Sequence, residues 1–214
     1  MAKVNQIVRV GEKNNFNFTA KEKESLETFK KDGRAFFVNS NSKVSIDADF
    51  KSIVTINPDL VFEEPKGDLS NVSAFRVKLF KTLDRDYTGE QMDCLDFCTT
   101  APALVTFMRF KSKKTLAKYT GLQLTGNAKK DREAIQELGY VHNAGYYRPT
   151  KRTQTELTEF ANIYCEYVTL CDANGTGCPD CGNCAKLNGY PKKTPIASLN
   201  LSVSGIKDKN GKQG

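Results

Sequence analysis

The stretch VSAFRVKLFKTLDRDYTGEQMDCLDFCTTAPALVTFMRF, residues 72–110, decides the fold. Over 73–80 the apolar residues Phe75, Val77 and Leu79 alternate with Arg76 and Lys78, a period of two that buries one face of a strand. Thr88 then caps a helix that the pattern carries to Cys98. Pro102 turns the chain into 103–110, where Leu104, Val105, Phe107 and Met108 form a nearly continuous apolar run. Such a run is the mark of a parallel strand covered on both faces. Strand, helix and second buried strand predict a βαβ unit, and with it an α/β fold.

Working outward toward the N-terminus, Thr19 and Glu22 stand at capping-box spacing, Leu26 and Phe29 make an apolar stripe, and Gly33 suits a helix stop. These predict a helix over 20–31. Strand-length runs rich in β-branched or aromatic residues follow at 35–38, 44–46, 52–56 and 60–62. Val4, Ile7, Val8 and Val10 read as an arm or an edge strand. Toward the C-terminus, helices are predicted over 128–138, ended by Gly139, and over 154–167, with Leu157, Phe160, Ala161 and Tyr164 on one stripe. After Leu170 the composition turns to Gly, Asn, Asp and Cys, and a last strand is expected at 196–203. The organisation expected is an N-terminal arm and helix (1–33), an α/β core (34–170), a metal-binding knuckle (171–190), and a final strand with a flexible basic tail (191–214). The core is expected to be a partial (β/α) barrel or an open, mostly parallel sheet. No internal repeat is visible.

At 214 residues the chain is long enough for one substantial core without staples. No stretch approaches the roughly 18 apolar residues of a membrane span, so no membrane is expected. The N-terminus MAKVNQIVRVGEKNNF has no apolar run ahead of a small-residue cleavage site, which points to the cytoplasm. The net charge of +7 and pI near 9.0 suit nucleic acid or another acidic partner, although the short 191–214 tail inflates the total.

The segment CDANGTGCPDCGNCAKLNGY, residues 171–190, places Cys171 ahead of Cys178 with six residues between them, and Cys181 and Cys184 follow at gaps of two. Gaps of two let both sulfurs face one point, and glycines at 175, 177 and 182 allow the tight turns this needs. Four thiolates converging in a loop with no apolar core predict a metal site at Cys171, Cys178, Cys181 and Cys184. Zinc fits the four-cysteine spacing. The alternative is a 4Fe-4S cluster, since ferredoxin-type runs also use gaps of two; those runs carry a proline after the distant cysteine, whereas Asp172 follows Cys171. Cys94 and Cys98, at i and i+4 on a helix, and Cys165 on the later helix read as small core residues.

Two further segments carry charge and aromatics. YVHNAGYYRPTKR, 140–152, interleaves Tyr140, Tyr146 and Tyr147 with Arg148, Lys151 and Arg152, the mixture that single-stranded nucleic acid or a nucleotide base would meet. MRFKSKKTLAKYTG, 108–121, puts Arg109, Lys111, Lys113, Lys114 and Lys118 just after a buried strand, where α/β folds bind anions. The plainer readings are a solvated loop for the first and an exposed helix start for the second. His142 is the only histidine, which rules out mechanisms needing two imidazoles. There is no glycine-rich phosphate loop, and Asp84, Asp86 and Glu90 show no acid–base pairing.

The order of VSAFRVKLF, a helix, ALVTFMRFKSKKTL, a long helix and then CDANGTGCPDCGNCAKL resembles the later half of phage-encoded radical-SAM-like proteins of the gene-product-88-like group. The likeness covers roughly 72–190. It implies a partial (β/α) barrel followed by a cysteine knuckle, a phage-associated setting, and Cys171, Cys178, Cys181 and Cys184 as ligands. Radical SAM chemistry needs three cysteines spaced three and then two; Cys94 and Cys98 offer the first gap, but position 101 is alanine. The leading expectation is therefore a metal-binding intracellular protein with a structural four-cysteine site and a basic partner-binding surface. The alternatives are an iron–sulfur protein related to radical SAM enzymes, with redox or radical chemistry, and a single-stranded nucleic-acid-binding protein.

Overall fold

The computed structural model describes residues 7–10, 19–41, 49–56, 64–83, 89–98, 102–165, 167–171, 183–190 and 196–199. The expected strands at 44–46 and 60–62, the cap Thr88, the acidic residues Asp84 and Asp86, and the tail after 199 lie outside them. The chain forms two compact units. Met1–Ile56, Glu63–Arg76 and Cys171–Gly214 make the first, and Asn57–Phe62 with Val77–Leu170 the second.

In the first unit, strands β1 (Ile7–Val10), β2 (Phe36–Asn41), β3 (Ser52–Ile56) and β9 (Ile196–Leu199) are ordered β9-β1-β2-β3, and the start of β4 (Val72–Leu79) follows β3. All three pairings in β9-β1-β2-β3 are parallel, with Val8 opposite Phe36 and Ala197, and Val38 opposite Ser52. The N-terminal strand is thus paired on both sides, not an arm or an edge. Its pattern, with Ile7, Val10 and even Arg9 buried, is what a strand inside a parallel sheet requires. Helix α1 (Ala20–Lys31) joins β1 to β2. Its capping box forms as the sequence predicts, the Thr19 hydroxyl accepting from the Glu22 N–H and the Glu22 carboxylate accepting from the Thr19 N–H. Leu26 and Phe29 pack with Val10, Val38 and Phe50, each such burial being worth about 1.5–3 kcal/mol.

The second unit holds the end of β4, then α2 (Gly89–Phe97), β5 (Ala103–Phe107), α3 (Lys113–Thr120), α4 (Ala128–Glu137), β6 (Tyr140–Asn143), β7 (Tyr146–Pro149), α5 (Lys151–Tyr164) and β8 (Val168–Leu170). The strand–helix–strand of 72–110 is realised as β4-α2-β5, in the order β8-β5-β4, with β8 parallel to β5. Phe75, Val77 and Leu79 are all buried, as their alternation requires. Cys94, Cys98 and Cys165 are buried too, the last two donating to the carbonyls of Cys94 and Leu95. The hydrogen bond with Cys165 and then burial push the Cys98 thiol well up, so it stays protonated and inert.

Four expectations in this unit need correcting. Strand β5 ends at Phe107, and Phe110 instead bridges to Tyr147. The helix expected over 154–167 runs Lys151–Tyr164, because the Thr150 hydroxyl accepts from the Thr153 N–H and starts it early. The segment after it is a strand, β8, and the loop 140–149 is a hairpin. Its two-residue turn at Ala144 (φ 48) and Gly145 (φ 78) has the positive φ pair of a type I′ turn, reached here without the usual asparagine. Among the described residues no helix is long and apolar enough to cross a membrane.

Candidate functional site

The two cation-and-aromatic segments of the sequence meet within the second unit. Phe110 and Tyr147 exchange both backbone hydrogen bonds, N–H to carbonyl at 3.0 and 2.8 Å, so the connection between β5 and α3 lies against the hairpin β6-β7 at Phe110. Around this bridge Phe110, Leu116, Leu122, Ile135, Leu138 and Tyr140 form one buried cluster, to which Phe80 also belongs. Phe110 sits edge-on to Tyr140 with centroids 5.8 Å apart. The Tyr140 hydroxyl, carried into this core, accepts from the Lys81 N–H at 2.9 Å and so is not stranded.

Helices α3 and α4 are each capped for their place. The Ser112 hydroxyl accepts from the Thr115 N–H at 3.1 Å, and α3 ends at Gly121 with φ 76, a left-handed stop that suits glycine. The Asn127 carbonyl side chain accepts from the N–H groups of Lys129 and Lys130, opening α4. What fixes α3 to α4 is one buried carboxylate. Asp131 Oδ2 accepts from Lys113 Nζ at 2.6 Å, and Oδ1 accepts from the Thr125 N–H at 2.8 Å and its hydroxyl at 2.9 Å. The Lys113 hydrogen bond holds this carboxyl at about 2 against the opposing effect of burial, with Thr125 assisting.

Burial sorts α4 into two faces. Asp131, Ile135 and Leu138 turn inward, while Lys129, Arg132, Glu133 and Gln136, spaced i, i+3, i+4 and i+7, are exposed on one stripe. Beside them opens a cleft of about 520 Å³ bordered by α4 and the hairpin, with Lys113, Arg132, Gln136, His142 and Tyr147 on its walls. His142 and Tyr147 are directly opposite in register, rings 4.8 Å apart, and the Arg148 guanidinium lies 5.9 Å from the Tyr146 ring.

The Phe110–Tyr147 bridge brings the two expected segments together at that point, and Arg109, just before it, is exposed. Lys111 and Lys114 are exposed, and Tyr146, Tyr147 and Arg148 lie half-buried on β7. Lys113 is committed to Asp131. Arg152 pairs with Glu156, whose carboxyl is held down first by Lys81 at 2.7 Å; Lys151 heads α5. Sequence reasoning missed Lys129, Lys130, Arg132 and Gln136. The signal was present, since the predicted 128–138 helix with Ile135 and Leu138 inward places all but Lys130 on one outward stripe.

The charge distribution is the sharpest fact about this region. Residues 109–152 hold eleven Lys and Arg against three Asp and Glu, whereas the rest of the chain holds 21 against 22. The whole basic excess of the protein sits on 44 residues.

In the first unit, two of the four expected metal ligands are described. Cys171 follows β8 and is half-buried; Cys184 lies buried in α6 (Asn183–Leu187). Arg76 donates to Cys184 Sγ at 3.2 Å. Asn188 locks the helix end, its side chain bonding the Cys184 carbonyl at 2.8 Å and accepting from the Ser73 hydroxyl at 2.8 Å. Cys178 and Cys181 lie outside the described residues, and among those described no three candidate ligands converge.

Comparison with known protein families, with curated proteins and with solved structures finds no match. The functional reading therefore rests on the geometry and chemistry of the site.

Proposed function

We propose that this protein binds nucleic acid through the basic face of residues 109–152. The observation that carries the reading is the charge partition, with all of the net positive charge on one packed subassembly whose exposed stripe and hairpin border a common cleft. Cations so gathered release condensed counterions when they meet phosphates, and that release supplies affinity without any base contact. Tyr146, against the Arg148 guanidinium, and Tyr147, against His142, support the cations from β7. No residue here forms an acid–base or nucleophilic pair of the kind hydrolysis would use, so binding and not turnover is the activity proposed.

The test is fluorescence anisotropy of the full chain with a labelled mixed-sequence DNA across a salt series. Counting Lys111, Lys114, Lys129, Lys130 and Arg148 as phosphate contacts, the slope of log K against log salt is about −4.5, and affinity drops about 500-fold between 50 and 200 mM. Binding that ignores salt, or no binding at low salt, would overturn the proposal.

One observation favours a second, compatible reading. Arg76 donates to the buried Cys184 sulfur, which suits a thiolate, and hydrogen bonds of that kind steady sulfur bound to a metal. We propose that Cys184, with Cys171, Cys178 and Cys181, holds zinc or a 4Fe-4S cluster that secures the C-terminal part of the first unit. Metal analysis of protein purified without oxygen tests this. Colourless protein with one zinc per chain supports zinc, brown protein supports the cluster, and metal-free folded protein overturns both.

A further inference from the structure

Resting on the nucleic-acid reading, we infer that the ligand is a duplex, with α4 entering the major groove and the β6-β7 hairpin lying along the adjacent backbone. Helices α3 and α4 pack through one core and are followed by a hairpin, and α4 carries a stripe of exposed side chains. A single strand would instead be met by an open, stacking platform. Here the aromatics do not form such a platform, and Tyr146 is half-buried beside the Arg148 guanidinium. Tyr140 and Phe110 are buried, and Tyr147 is half-buried with its ring against His142.

The dimensions fit the duplex. Ten residues of α4 span about 15 Å, and a helix of ordinary diameter enters a groove about 12 Å wide. The side chains fit as well. Arg132 and Gln136 stand one turn apart on the exposed stripe, and these are the two types that bond bidentately to guanine O6/N7 and to adenine N6/N7. Glu133, on the same stripe, is the type that accepts from the cytosine amino group. Lys129 and Lys130 stand in the first turn of α4, where the positive end of the helix dipole also favours phosphate. The cleft between α4 and the hairpin, with His142 and Tyr147 on its walls, is placed to take the phosphodiester strand that borders the groove.

The test uses the full chain with a labelled mixed-sequence duplex of about 20 base pairs, two helical turns, and with its separated top strand at equal salt. The duplex is expected to bind at least about tenfold tighter, and dimethyl sulfate footprinting should show protection of guanine N7, a major-groove atom, on a site selected from random duplexes. Arg132→Ala is expected to lower duplex affinity about tenfold and remove that protection; Gln136→Ala, also on the surface, should relax an adenine preference. Equal or tighter binding of the single strand, or duplex binding without N7 protection, overturns this inference and leaves the nucleic-acid reading standing. Failure to bind either form overturns the reading beneath it.

Discussion

Gly139 is the junction where α4 ends and the hairpin begins, and Gly139→Ala tests whether that junction is built as described. Its φ is +97, and a Cβ placed there would lie 2.1 Å from Thr153 Oγ1 and 3.3 Å from Thr153 Cβ. The Gly139 carbonyl meanwhile accepts from the Thr153 hydroxyl at 3.0 Å and from the Thr150 N–H at 2.8 Å, tying the start of the hairpin to the start of α5. A left-handed alanine costs about 1–2 kcal/mol. Displacing the buried Thr153 hydroxyl from its acceptor adds about 1 kcal/mol or more. The sum is about 3 kcal/mol, which for a chain of this size lowers Tm by roughly 6–12 °C. Urea unfolding followed by circular dichroism measures it. The same substitution in a Thr153→Ala background keeps only the backbone part, about 1–2 kcal/mol, so a double-mutant cycle isolates the clash. A cost below about 0.5 kcal/mol, or one that Thr153→Ala leaves unchanged, would refute the geometry of this junction.

Three other outcomes are expected. Ala144→Asn places a residue that tolerates positive φ in the hairpin turn and should stabilise the protein by about 0.5–1 kcal/mol, read as a raised urea midpoint. Asp131→Asn should lower the midpoint at neutral pH. Because the folded Asp131 carboxyl sits near 2, below its ordinary 3.8, its stabilising effect is full above about pH 4 and lost as pH falls through 2, so variant and wild type should converge at the acid end; midpoints that differ equally at every pH would contradict this. Cys184→Ser should release bound metal from anaerobically prepared protein, seen by elemental analysis, while retention of a full metal complement would remove Cys184 from the ligand set.

Legibility in the sequence followed the strength of local signals. Alternation at Phe75, Val77 and Leu79 and the Thr19–Glu22 box sit in elements whose short-range chemistry agrees with their packing, so β4 and α1 were readable to within a residue or two. Strand β8 has only three residues and no alternation to display, and it exists because β5 offers it a parallel partner. The hairpin was hidden by Ala144, which does not announce a turn needing positive φ at two positions. For the site, the charges at 109–114 and 146–152 were visible as separate runs. Their proximity was not, because it depends on the long-range bridge between Phe110 and Tyr147. The outward stripe of α4 could have been read from helical periodicity once Ile135 and Leu138 were assigned inward.

The central claim is that the exposed cations of α4 meet phosphates, and the salt dependence of duplex binding tests it most directly. Lys129→Ala and Lys130→Ala combined remove two charges from surface positions. The account predicts a correctly folded variant whose log K against log salt slope is shallower than the wild type by about 2. An unchanged slope would contradict it.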